Sequence, residues 1–430
     1  MTHPSPLQEI ERIVQTRARE LALDTDTDPT MLSTLVEETV SQWSADHKRG
    51  LRAHDLADPR RIVERAVRNL TGYGPLEPLL ADDDVWEIMV NGPAEIFVKR
   101  HTGPSGYHDE VFHDDEHVTR TLTKILDDAS SAHRKLDPTE GLQDAQLDDG
   151  SRLHIVHGDI GRGGHLMVNI RKFTNVAFHD LDQLVRRDML SHQAARFLAA
   201  AVRAKASIVF AGAPGSGKTT MMSCSCAELD PTLRVVIAEE VFEADVPVAN
   251  VAQMQTRPAR HDRPAVDLRR LVAGFLRMAP DIAIVGEVRD KEALPLLLTL
   301  SSGVKGFTTI HAGSARQALS RLRFVCQLAD DDLPMSALNT LVSEAIDVVV
   351  HCARPPDGPR VTEIVAVEDL AGGADATQFT VTPVFEREGL ESPLRWSGQV
   401  PVRLDRLLQQ VGIEVHTLLD EPSVTAEVLA

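Results

Sequence analysis

No apolar run in this chain reaches the roughly 20 residues an α-helix needs to cross a bilayer. The opening residues, Met1 to Leu7, hold no basic stretch followed by an apolar core. A membrane-spanning protein is therefore not expected, and any membrane role should be peripheral. Cysteine is scarce as well. Cys224, Cys226, Cys326 and Cys352 are too few for a disulfide scaffold and are not spaced as a paired zinc ribbon. Buried, reduced thiols in a cytoplasmic protein are the expectation. Positive charge is also in deficit: 45 basic against 64 acidic side chains give a net charge of -19. That balance repels nucleic acid and anionic lipid at long range, so no nucleic-acid partner is expected unless through a local basic pore.

What is present suits a soluble globular chain. A hydrophobic content of 43% and a charged content of 25% allow a sizeable interior. With 430 residues, about two to four domains are expected. No internal repeat is visible. From Leu7 to about Leu70 the pattern is helical and charged, with Ile10, Ile13 and Val14 near helical spacing and an interruption from Asp24 to Pro29. Between Val85 and Val98, β-branched and apolar residues surround an Asn91-Gly92 turn signal, predicting strand, turn, strand. A helical stretch around Val118 to Ala129 and a β-rich one from Ser151 to Phe173 complete an α+β region.

Further on, a helical segment from Ser191 to Ala204 leads into the apolar run Ser207 to Ala211. Apolar runs at Arg234 to Ala238, Ile282 to Val285 and Gly306 to Ile310 then alternate with helical stretches, which implies a parallel sheet flanked by helices. After about Gly372 only scattered apolar positions and two short helical signals remain.

Gly212-Ala213-Pro214-Gly215-Ser216-Gly217-Lys218-Thr219 matches GxxxxGK[ST] and lies between a predicted strand and a predicted helix. Glycines let backbone N–H groups turn inward around phosphates, and the following helix turns its positive end toward the same charge. Lys218 is expected on the β and γ phosphates. Thr219 is expected to bind magnesium through its hydroxyl, because a hard cation takes small oxygen ligands. Thr220 follows directly.

The run Ile282-Ala283-Ile284-Val285-Gly286-Glu287 is an apolar strand ending in an acid. Gly286 stands where many P-loop enzymes place a magnesium-binding aspartate, so Glu287 is expected to orient or deprotonate water, its metal contact being indirect. A third cluster, Glu239, Glu240 and Glu243, follows another apolar strand and falls on the same carboxyl edge. Taken alone, a solvated charged face explains that cluster nearly as often.

In this order, these segments resemble the type II and type IV secretion ATPase superfamily, especially its tight-adherence (Flp-type) pilus branch. IAIVGEVRD from Ile282 and FTTIHAGSARQALSRL from Phe307 resemble its acidic strand motif and histidine box. YGPLEPLLADDDVWEIMVNGP from Tyr73, with LDDGSRLH and NIRKF, is similar to its N-terminal domain. The resemblance implies an α/β, RecA-like P-loop domain over 185–371. A helical extension over 1–70 and an α+β, PAS-like domain over 71–180 would precede it, and a C-terminal extension over 372–430 would follow. It also implies an ATPase using ATP and magnesium, assembled with itself into a hexameric ring beside a polytopic inner-membrane platform protein.

By the same resemblance His311 is a γ-phosphate sensor, Arg152 and Arg171 clamp the nucleotide from the N-terminal domain, and Arg257 and Arg277 reach a neighbouring subunit. Glu240 stands where the family usually has aspartate, keeping the carboxylate but changing its reach. Ala213-Pro214 replaces glycine-threonine, and Gly313 replaces an asparagine. Two other readings stay open: a DNA-translocating conjugation-type ATPase, and a nucleotide-gated scaffold with little turnover.

Overall fold

Proline opens each of the first three helices, Pro6–Glu20, Pro29–Lys48 and Pro59–Thr71. Its fixed φ suits the first helical turn, where the missing N–H costs nothing. Ser5 and Gln8 close a reciprocal capping box on the first helix, and Asp58 caps the third. Leu7, Ile10, Val14, Leu32, Val36, Trp43 and Ala66 form their shared core. The structure, a computed structural model, describes residues 5–23, 29–101, 103–129, 135–172, 178–257, 259, 263–329, 333–373 and 378–420. The chain divides into two compact units, Met1–Thr174 and Asn175–Ala430, each taken by itself below.

In the first unit β1 (Val85–Gly92), β2 (Glu95–Arg100), β3 (Gly106–Tyr107), β4 (Leu142–Gln146), β5 (Arg152–Val156) and β6 (Met167–Arg171) form one antiparallel sheet. Their order is β3-β2-β1-β6-β5-β4. The turn between β1 and β2 falls two residues later than the Asn91-Gly92 signal suggests. Gly92 pairs with Glu95, leaving Pro93 and Ala94 as the turn, and proline presets the φ that such a turn needs. The helix Asp115–Asp128 buries Val118, Leu122, Ile125 and Leu126 in the same cluster as Ile88, Val90, Leu153 and Ile170 of the sheet. Three elements meet at one buried polar point: Glu11 accepts from Asn69 at 2.7 Å and pairs with His113 at 2.8 Å.

In the second unit β7 (Ile208–Gly212), β8 (Arg234–Glu239), β9 (Asn250–Gln255), β10 (Ile282–Val288), β11 (Lys305–Ile310), β12 (Val348–Ala353), β13 (Arg360–Val367), β14 (Val381–Glu386) and β15 (Arg395–Trp396) share one sheet. The order is β15-β14-β13-β12-β7-β11-β10-β8-β9. From β9 to β12 every neighbour is parallel, and β13 to β15 continue antiparallel. Alternate residues of each central strand enter two different cores. Ile208, Phe210, Val235 and Ile284 face one, while Val209, Ala211, Val236 and Val285 face the other. Burial on both faces is why these strands read as unbroken apolar runs. The expected α/β architecture, a P-loop domain on a parallel sheet with helices ahead of it, is what the chain adopts.

The segment after Gly372 belongs to this sheet through β14 and β15, and its helix Val402–Gln409 is pinned by charge. The Glu368 carboxylate accepts from the Val402 and Arg403 amides at 2.9 and 3.0 Å, placing negative charge at the helix start. Arg403 itself donates to buried Asp347 at 2.7 Å, and Asp347 also holds the Ser207 amide at 2.8 Å and Lys305 at 3.0 Å. Arg403→Ala removes a charge-assisted bond and leaves Asp347 with fewer partners. The loss should be about 1–3 kcal/mol, read as a lower denaturation midpoint followed through Trp396 fluorescence.

In the first unit His117 is 2% exposed and accepts from the His113 amide at Nδ1, 3.3 Å away. Burial, with Arg120 and His113 adding to it, lowers its pKa from 6.5 to about 3. The unfolded imidazole takes its proton near 6.5, so the unfolded state gains protons first as the pH falls. This stability is full above pH 6.5 and should erode by roughly 1 kcal/mol per pH unit on the way down to about 3. Denaturation of the full chain at about pH 7 and about pH 5 should show that loss, and His117→Gln should flatten it. Equal slopes in the two proteins would contradict the assignment.

Candidate nucleotide site

Strand β7 ends at Gly212, and the chain then turns through Ala213 to Gly217 into the helix Lys218–Cys226. Gly217 caps this helix in the left-handed region, φ 86°, where a side chain would be strained. An added Cβ would also lie 3.1 Å from both Met189 and Pro359. Ala213 and Pro214 are exposed at the tip, Ser216 is fully buried, and Thr219 and Thr220 are half-buried in the first helical turn. Lys218, only 7% exposed, donates from Nζ to the Ala213 carbonyl at 2.9 Å. The loop is braced from outside by Arg354, which donates to the Gly215 carbonyl at 2.8 Å.

Register decides what stands beside the loop. In the parallel ladder Ile310 of β11 pairs with Ala211 of β7 on one side and with Val288 of β10 on the other. His311 therefore leaves the sheet between the phosphate loop and Glu287. Its Nδ1 lies 3.3 Å from Lys218 Nζ and 3.2 Å from the Gly212 carbonyl, and its Nε2 lies 2.8 Å from Glu287 Oε1. A lysine ammonium can only donate. The Nε2–H tautomer accepts from Lys218 at Nδ1 and sets its Nε2 beside the Glu287 carboxylate, in close contact though not aligned as a hydrogen bond, whereas the Nδ1–H tautomer serves Gly212 alone. The network thus assigns the hydrogen to Nε2.

Glu287 is held from its other side too. Arg289 donates to its Oε2 at 2.7 Å and to Glu240 Oε2 at 3.1 Å. Burial alone would raise the Glu287 carboxyl, but the contacts with His311 and Arg289 outweigh it and bring it down to about 2. The acidic cluster after β8 separates into two kinds. Glu239, 2% exposed, accepts from the Glu243 and Ala244 amides at 3.0 and 2.8 Å and so shapes the loop. Glu240 faces outward to Arg289. Glu239 also accounts for Gly286: a Cβ there would come within 2.8 Å of Glu239 Cγ, so an aspartate would not fit without moving it. Thr309 fixes the same turn by donating to the Gly286 carbonyl at 2.8 Å.

In the first unit Arg152 and Arg171 are directly opposite each other in the β5–β6 ladder. Like charges facing across a ladder repel, so an anion bound between them would be stabilising. Arg257 donates to the Pro264 carbonyl at 3.2 Å, and Arg277 is exposed in the turn Phe275–Met278. Sequence reasoning missed Arg289 and Arg354. Arg289 could have been found, since positions two apart at a strand end face the same way, and it follows Glu287 by two. Nothing local marks Arg354, whose contact spans 139 residues.

With this geometry described, comparison with known proteins places the chain. The family described as "Type II/IV secretion system protein" matches residues 69–355. The type IV secretion system protein PtlH of Bordetella pertussis is 31% identical over 343 residues, 74% of this chain and 95% of PtlH. The conjugal transfer protein TrbB of Rhizobium radiobacter is 34% identical over 192 residues, 44% of this chain and 56% of TrbB. Among solved structures, the VirB11 ATPase of Brucella suis is 26% identical with a TM-score of 0.37, covering 67% of this chain and 94% of VirB11. A match across two thirds of its length, together with PtlH, makes this chain a member of the type II/IV secretion system protein family.

Proposed function

We propose that the chain is the ATP-hydrolysing motor of a bacterial secretion or pilus-assembly machine, working as a homo-oligomeric, hexameric ring of the tight-adherence (Flp-type) branch. The observation that supports this most is the contact chain Lys218, His311, Glu287 along one sheet edge. It joins a phosphate-binding cation to a carboxylate poised beside the reacting end of a bound triphosphate.

ATP is the substrate in this reading. The amides of the loop from Gly212 to Thr219, Pro214 excepted, and the helix start cradle its phosphates, with Thr220 alongside. Lys218 exchanges the Ala213 carbonyl and His311 for the β and γ phosphate oxygens. His311, parted from Lys218, then reports on the γ-phosphate. Glu287 orients the attacking water and takes its proton as the new O–P bond forms and ADP leaves in line. The donors on offer are hard oxygens, the Thr219 hydroxyl and the Glu287 carboxylate, a set that fits magnesium arriving with the triphosphate. Thr219 would hold that ion, with Glu287 in indirect contact, and its charge would offset that of the phosphates. Arg152 and Arg171, two facing cations, would grip phosphate and release it after hydrolysis, turning phosphate loss into domain motion.

PtlH belongs by name to a type IV secretion system, which supports a secretion motor. Among the described residues no helix is long and apolar enough to cross a membrane. We place the ring in the cytoplasm, held peripherally by a polytopic platform protein. The name of TrbB favours a DNA-moving machine instead, against which the net charge of -19 weighs. ATPase stimulation by single-stranded DNA that fades with salt would carry that second reading.

The test is magnesium-dependent ATP hydrolysis by ring and monomer fractions. Activity should belong to the ring, and Lys218→Ala and Glu287→Gln should each lower kcat by about 100-fold or more. A wild-type ring that binds ATP without turning it over would replace the motor with a nucleotide-gated scaffold.

A further inference from the structure

We propose that Arg289 is a positioning residue that restrains Glu287 in the resting site, and that Glu240 is the second anchor that draws it away. The inference rests on Glu287 being the group that handles the attacking water.

Both carboxylate oxygens of Glu287 already face a nitrogen. Oε1 has His311 Nε2 at 2.8 Å and Oε2 has the Arg289 guanidinium at 2.7 Å. In this state Oε2 is engaged by a donor, while Oε1 is enclosed beside His311 without an aligned hydrogen bond. The two contacts differ in what they can do. His311 emerges from a buried strand and is flanked by the phosphate loop, so it has little room to leave. Arg289 is half-exposed, and its far nitrogen already touches Glu240 at 3.1 Å. Glu243 adds its field to the same guanidinium. Meanwhile the Arg289 and Asp290 amides are both tied to the buried Glu292 carboxylate.

The backbone is therefore anchored while the side chain has two acceptors within reach. A guanidinium so placed can shift its weight from Glu287 to Glu240 without leaving a charge unpaired. Turnover then requires the Glu287–Arg289 contact to open, and Glu240 lowers the cost of opening it. The length of Glu240 is used here, since its carboxylate must reach across to β10.

The experiment measures kcat and KM for magnesium-ATP on ring fractions. Arg289→Gln should raise kcat roughly two- to fivefold, the scale of a half-exposed ion pair, with little change in KM. Arg289→Lys, which keeps the charge, should return kcat toward wild type. Glu240→Gln should lower kcat by a similar factor, because Arg289 then rests wholly on Glu287, and this loss should vanish in the Arg289→Gln background. A fall in kcat for Arg289→Gln that lysine rescues would overturn the restraint, and so would a Glu240→Gln effect that persists without Arg289. If Arg289→Gln does not assemble into rings, Glu240→Gln alone decides, and an unchanged or higher kcat there refutes the proposal. Glu287→Gln separates the two ideas: retained activity in it removes Glu287 from the reaction, whereas its loss together with a slower Arg289→Gln removes only the restraint.

Discussion

Three parallel strands set everything at the nucleotide site. β7, β11 and β10 lie side by side with Ile310 paired to Ala211 and to Val288. Because parallel neighbours end at the same edge, the loop after β7, the histidine after β11 and the glutamate at the end of β10 emerge together. The alternation of side chains that fills two cores also fixes this register, since a slip of one residue would turn Phe210 and Phe307 toward the wrong face. Packing thus positions the site before any polar contact is made.

On that frame polar groups follow one another in contact: Lys218, then the His311 imidazole, then Glu287, Arg289 and Glu240, with cation and carboxylate alternating beyond the imidazole. Each member lies between groups that favour it, and none can move without changing its neighbour. Such a chain suits a site that must respond to a triphosphate, because Lys218 is the member that a phosphate captures first. Beyond it, the buried Glu239 keeps the β8 loop in place and excludes a side chain at position 286, so the single strand-end acid of β10 stays at 287.

Much of this was legible in the sequence where one physical cause dominates. Apolar runs buried on both faces announced β7, β8, β10 and β11, and the loop Gly212 to Thr219 could be read because few backbones other than a phosphate cradle need that glycine spacing. Strands at the rims were not. β9 reads Asn-Val-Ala-Gln-Met-Gln and β4 reads Leu-Gln-Asp-Ala-Gln, with too few apolar side chains to stand out from loop. For the site, His311 needed the family resemblance, because a histidine at a strand end has no chemistry of its own until register places it. Glu240 stood out only through the resemblance, Arg289 was missed, and their shared geometry is what joins them to Glu287.

The tail carries a consequence of a different kind. β14 lies along β13, and β15 along β14, so the far rim of the sheet ends in a two-residue strand. A chain cut after Gly372 would uncover β13, eight residues long with Val361, Ile364, Val365, Ala366 and Val367 all buried in the intact protein. An open, apolar rim of that length is a template for unwanted pairing between molecules. β14 and β15, from a stretch with no recognisable chemistry, thus cover a rim that would otherwise invite pairing between molecules.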